Sequence, residues 1–99
     1  MIPKFFRLQS GEDYQRLVDG LVHESINPNE QGGYVCGYKM IDGPDGVYHI
    51  FGLDGVTVIA QEQGSLIEMW VRDTKQAQAT KGLLSQLTGV SANKFFMMR

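Results

Sequence analysis

The chain has 99 residues, of which 42% are hydrophobic and 20% charged, with a formal net charge of −2 and a single cysteine, Cys36. Such a chain is a single domain over residues 1–99 with one core, and it is too apolar to stay disordered. It has no apolar run of the roughly 18 residues that a membrane span needs, no clustered basic face for duplex nucleic acid, and no second thiol for an intrachain disulfide. Arg72, Lys75, Lys81, Lys94 and Arg99 accumulate late in the chain and read as solvated helix and strand ends. The opening residues mix Lys4 and Arg7 into an apolar patch and lack a small-residue cleavage site. A mature chain starting at Met1 and working in a cytoplasm-like compartment is therefore expected, in keeping with the unpaired cysteine.

Residues 4–8 read as a first strand. Ser10 then caps a helix, with Glu12 and Asp13 placed against its positive end, and Tyr14, Leu17, Val18, Leu21 and Val22 recur at helical spacing as one apolar stripe. Asn27 before Pro28 ends that helix, because the residue preceding proline is pushed out of the helical region. Residues 29–33 read as a polar loop.

The middle of the chain alternates strand and turn. Residues 34–41 are rich in aromatic and β-branched side chains, residues 42–46 are turn-dense and suit a longer hairpin loop, and residues 47–53 form the next strand. Asp54-Gly55 is a two-residue hairpin signal. Residues 56–61 follow, then a turn around Gln63 and Gly64, then a strand over residues 65–72. Four strands in an antiparallel meander are the simplest reading. Asp73 caps a second helix, with Gln76 three residues on as a capping box. Ala77, Leu84 and Leu87, with Ala79 and Leu83, are expected on its buried face. Gly82 interrupts it at a place where close packing on the sheet would explain a glycine, and Gly89 stops it. Residues 94–99 are the last strand. The expected fold is α+β, a single mixed or antiparallel sheet with two helices on one face, in the order β-α-β-β-β-β-α-β.

The segment 65–99 resembles the core of the GNAT superfamily of N-acetyltransferases. Leu66 to Val71 form a strand that ends in an aromatic-Val pattern, Gln76, Ala77, Gln78, Ala79, Thr80 and Lys81 occupy the place of the family's Gln/Arg-x-x-Gly-x-Gly/Ala turn, and the pair Leu83-Leu84 and the strand from Lys94 follow. Arg7 and the Ser10-Gly11-Glu12-Asp13 cap also match the way many members begin. The resemblance implies an acetyl-coenzyme A site built from Val71 and residues 76–81, whose amides would hold the pyrophosphate. Where the family has glycines this chain has Ala79 and Lys81, and a side chain there obstructs close approach to phosphate. Read without the family, the same segment is a scaffold of strand, capped helix and strand.

Other chemistry is sparsely furnished. Cys36 could be drawn with His23 or His49 as a nucleophile and base, but it lies in a strand, where a lone cysteine is ordinarily a small core hydrophobe. The two histidines have no partner at metal-ligand spacing, and Asp42, Asp45 and Asp54 fall in turns that favour aspartate for backbone hydrogen bonding. Glu68, sharing a face with Leu66 and Trp70 opposite Ile67, Met69 and Val71, is the carboxylate to follow. Alternation in residues 34–41 puts Tyr34, Cys36, Tyr38 and Met40 on one side and Val35, Lys39 and Ile41 on the other. Neither face is plainly polar, which suggests a partner or a homodimer. An apolar last strand, with Phe95 to Met98, is either an exposed edge or inserts beside the first strand.

The function these features support is that of a small non-catalytic protein-binding module, of the inhibitor, immunity or phage-accessory and virion kind, acting on a protein partner or on itself through an open sheet face. Tyr34, Tyr38, Tyr48 and Trp70 are the expected anchors, with no catalytic residue, metal or cofactor. The alternative is a reduced or degenerate GNAT-like acetyltransferase with acetyl-coenzyme A at Val71, Gln76, Ala77, Gln78, Ala79, Thr80 and Lys81.

Overall fold

The structure is a computed structural model and describes residues 1–27 and 33–98. Strand β1 (Ile2–Leu8) leads into helix α1 (Gly11–Ile26), which Ser10 starts by accepting the Asp13 amide at 3.1 Å. That bond occupies one of the free first-turn donors, a cap that contributes about 1 kcal/mol. Asn27 closes the helix with its amide on the His23 carbonyl. Pro28 and most of the expected polar loop lie outside the described residues.

Strands β2 (Val35–Gly43), β3 (Gly46–Leu53), β4 (Val56–Gln61) and β5 (Leu66–Val71) form the expected meander. Asp54 and Gly55, with φ of 48° and 81°, join β3 to β4 in the two-residue turn whose twist suits a hairpin. The β2–β3 connection is shorter than expected. Both strands run on until Gly43 pairs with Gly46, leaving only Pro44 and Asp45 in the turn. Gly46 takes φ 114°, and the Tyr48 ring lies so close over Gly43 that an added Cβ would sit 2.3 Å from it.

Helix α2 (Thr74–Thr88) ends at Gly89, which adopts the left-handed conformation. After a 3-10 turn that takes up Lys94, strand β6 (Phe95–Met98) closes the chain. The final Arg99, expected as strand, lies outside the described residues. The sheet order is β2-β3-β4-β5-β1-β6 and every pairing is antiparallel. The chain is thus α+β in the expected order, with the last strand inserted beside the first and forming one edge.

The core lies between one sheet face and the two helices. Phe6, Phe51, Leu53, Val58, Ile67, Met69 and Val71 are fully buried from the strands, and Leu17, Leu21, Ala77 and Leu84 meet them from the helices. Each large side chain of this set stabilises the fold by about 1.5–3 kcal/mol relative to exposure. Ala79, expected on the buried face of α2, is exposed, and Thr80 is buried in its place with its hydroxyl on the Gln76 carbonyl at 2.8 Å.

The glycine that mediates close packing is also a different one. Gly82 faces open space, whereas a Cβ on Gly20 of α1 would fall 2.9 Å from the Thr88 methyl of α2 and 3.1 Å from its Cα. The helices therefore approach backbone to side chain at Gly20. Gly20→Val should lower stability by roughly 1–3 kcal/mol through overpacking, whereas Gly82→Ala should raise it by roughly 0.5–1 kcal/mol through helix propensity. Urea denaturation of the two variants measures both signs.

Candidate functional site

Because side chains alternate along each strand, the register that buries one face of the sheet defines the other. Three rows of side chains cross the face opposite the helices. The first is Gly37, Gly52, Thr57, Trp70 and Pro3, and the second is Lys39, Ile50, Ile59, Glu68, Phe5 and Met98. The third is Ile41, Tyr48, Gln61, Leu66, Arg7 and Phe96. Neither helix packs on this face. Phe5, Tyr48, Ile50, Ile59 and Leu66 are half-buried by their neighbours alone, while Ile41, Trp70, Phe96 and Met98 are exposed. An antiparallel sheet with one wet face ordinarily alternates to polar there, and this one does not.

Glu68 is half-buried between Ile59 and Phe5, with an oxygen accepting the Trp70 indole N–H at 2.6 Å. That bond fixes the Trp70 ring against the sheet instead of leaving it free to turn. Glu68 is thus an orienting carboxylate on the open face, with no second acid or base bonded to it among the described residues.

The four aromatic residues expected to form one surface are divided between two. Tyr48 and Trp70 lie on the open face. Tyr38 lies on the helix side, its ring 4.9 Å from that of buried Phe51 and its hydroxyl sharing a 2.8 Å hydrogen bond with His49 Nδ1. The cause is a β-bulge. Val35 pairs with Leu53 but Gly37 with Gly52 and Tyr38 with Phe51, so one extra residue reverses the alternation. Val35, expected opposite Tyr38, therefore shares its side and is buried in the core. Tyr34 is exposed just ahead of β2, with its carbonyl on the Asp54 amide at 3.1 Å. Cys36, expected as a small core residue, is pushed outward by the same bulge and is exposed, its thiol 3.7 Å from the Tyr34 carbonyl.

At the β5–α2 junction, residues 76–81 are helical throughout. Val71 and Ala77 are buried, Gln78 and Ala79 are exposed, and Lys81 is half-buried with its ammonium 5.8 Å from the centre of the Phe6 ring. Asp73 accepts the Gln76 amide at 2.8 Å, and the Gln76 side chain reaches back to accept the Arg72 amide at 2.6 Å. This reciprocal cap satisfies two backbone donors from within the chain. Beside it lies a cleft of about 380 Å³ lined by Arg72, Lys75, Gln76 and Thr80 together with Asp54 and Asp73, so its two cations face two carboxylates.

No group of three His, Cys, Asp or Glu side chains able to hold a metal ion is present among the described residues, and no helix there is long and apolar enough to cross a membrane. His49 is engaged by Tyr38 and not by Cys36. No family model matches the chain, and no curated protein or solved structure shows significant similarity to it.

Under α1, the buried Tyr14 hydroxyl has no hydrogen-bond partner among the described residues. Burial pushes its ionisation well above the usual tyrosine range, and the charge of Glu62 and then Tyr38 push it the same way. A raised folded-state value means that the folded chain keeps a proton which the unfolded chain loses near pH 10, so stability falls as pH rises above that point. Tyr14→Phe should leave stability at pH 7 unchanged or slightly higher, since no hydrogen bond is lost, and should flatten the alkaline decline. Thermal melting from pH 8 to 11 compares the two proteins.

Proposed function

We propose that this chain is a small non-catalytic protein-binding module whose working surface is the open face of its sheet, with Trp70 and Tyr48 as aromatic anchors. One observation carries the reading. Apolar side chains from all six strands line a face that neither helix covers, and among the described residues only Arg7, Lys39 and Glu68 bring charge to it from within the strands. A contiguous apolar surface of this kind on a small domain is a docking surface, because its burial against a partner removes area from water at about 25 cal/mol per Å². Aromatic anchors held in a fixed orientation, as Glu68 holds Trp70, lose little freedom on binding.

The double variant Ile50→Lys/Ile59→Lys tests the surface. Neither side chain belongs to the buried core, and circular dichroism confirms that the variant is folded, with a loss of roughly 1–3 kcal/mol expected from placing two like charges directly opposite one another across the strands. Wild-type protein should sediment above monomer mass, either alone or in an extract of its source cells, and the variant should sediment as a monomer in both. A wild-type chain that is monomeric in both settings overturns the reading.

A GNAT-like acetyl-coenzyme A site is the second reading, supported by the cleft that Arg72, Lys75, Gln76 and Thr80 line at the end of β5. On this reading acetyl-coenzyme A at about 100 times its dissociation constant adds about 2.7 kcal/mol and raises the melting midpoint. An unchanged midpoint at millimolar acetyl-coenzyme A removes it.

A further inference from the structure

We propose that the open face binds a second copy of this chain, sheet against sheet, about a two-fold axis that runs along the strands between β3 and β4. The proposal rests on the reading of this face as a protein-docking surface and names its occupant. A two-fold contact sets a patch against itself, so each feature must meet its complement on the same surface. About this axis β2 faces the partner copy's β5 and β3 faces its β4. In the central row Lys39 then opposes Glu68 of the second copy, and Ile50 opposes Ile59. In the row beside it Ile41 opposes Leu66. In the remaining row Trp70, the bulkiest side chain on the face, opposes Gly37, while Thr57 opposes Gly52. Gly37 has nothing within 4 Å of the place its Cβ would occupy, so it leaves a hollow where the indole arrives, bordered by the Cys36 side chain, which lies 3.7 Å from the corresponding place on Gly52.

The distances suit the chemistry. Lys39 and Glu68 each stand one and a half strand spacings from the axis, about 7 Å, and packed sheets lie about 10 Å apart, a gap that an extended lysine and glutamate bridge. One Glu68 oxygen holds the Trp70 indole, which leaves the other for the ammonium. Other two-folds fit worse. An axis across the strands sets Lys39 on Lys39 and Glu68 on Glu68. An axis through the middle of the six strands sets Glu68 on Ile59 and Lys39 on Met98. The favoured axis leaves β1 and β6 outside the overlap, so Phe96 stays exposed in the dimer.

Sedimentation equilibrium of the purified full chain decides the matter, with circular dichroism confirming that each variant is folded. Wild type should be a dimer. Lys39→Glu and Glu68→Lys should each weaken it by about tenfold or more, because each sets like charges opposite one another at two places. The double exchange Lys39→Glu/Glu68→Lys should recover most of that loss, and Phe96→Glu should change nothing. As a second measurement independent of charge, a mixture of Ile50→Cys and Ile59→Cys chains on a Cys36→Ser background should cross-link between copies through a short bifunctional thiol reagent. A wild-type chain that is monomeric when pure but enters a complex in extract overturns the dimer and leaves the docking surface standing. A monomer in both overturns the two together. A dimer that Phe96→Glu disrupts and the charge exchanges leave intact overturns this geometry in favour of pairing through the β6 edge.

Discussion

The register of β4 against β5 is the constraint on which the rest of the structure depends. Val58 opposite Met69 and Ala60 opposite Ile67 place four buried side chains side by side at the centre of the sheet. A slip of one residue would send Ile67, Met69 and Val71 to the far side and bring Leu66, Glu68 and Trp70 beneath the helices. Glu68 would then be a carboxylate under an apolar layer, a cost of several kcal/mol unless it found a partner. The same register is carried outward by the tight turn at Asp54 and Gly55 to β3, and by the pairing of Phe6 with Ile67 to β1. Both faces of the molecule, the core and the open surface, follow from that single alignment.

The two terminal strands depend on the meander. Strands β2 to β5 are joined by short connections and pair with their neighbours in sequence, so little loop entropy opposes them. Strand β1 pairs with β5, from which it is far removed along the chain, and β6 then pairs with β1. Helix α2 therefore crosses over β1 to connect two parallel strands that do not touch. Its path across α1 is set by the Gly20–Thr88 approach. The two edges of the sheet differ in kind. Strand β2 is bulged and carries Lys39 and Asp42, features that discourage further strand pairing, while β6 is short and uncharged.

Most of this architecture was legible in the chain because its signals are local. Ser10 and Asp73 as caps, Gly89 as a stop, Asp54-Gly55 as a turn and the Tyr14–Leu17–Val18–Leu21 stripe each involve side chains within a few residues of the backbone they shape. The opposition of Ile67, Met69 and Val71 to Leu66, Glu68 and Trp70 was legible for the same reason. What escaped was decided across the sheet or between helices. A bulge at residues 35–37 inserts one residue relative to a partner strand, and strict alternation, which separates Val35 from Tyr38 and sets Cys36 beside it, cannot show it. The β2–β3 turn shortened because Gly43 lets the Tyr48 ring lie over it, a contact between residues that only the hairpin brings together. Gly20 and Gly82 look alike in sequence, and only the position of Thr88 distinguishes them. The candidate surface was half legible: its composition could be read, but not which aromatics share it.

If the open face is a docking surface, as proposed, folding is tied to association. Both helices lie on one side of the sheet, and among the described residues no element covers the six strands on the other. Within the monomer those side chains shield one another only partly, as the half-burial of Phe5, Ile50, Ile59 and Leu66 shows. Any protein that covers the face binds the folded chain and not the unfolded one, since the rows exist only when the strands are in register, and so it adds its binding free energy to the stability of the fold. On the proposed reading, Lys39 and Glu68 set the specificity of that covering. Each interrupts the apolar rows at a different strand, so a surface that buries the face without supplying opposite charges leaves an ion desolvated and unpaired. On that reading apolar area supplies the driving force, and two charges at known places in the register, Lys39 and Glu68, determine which surface can use it.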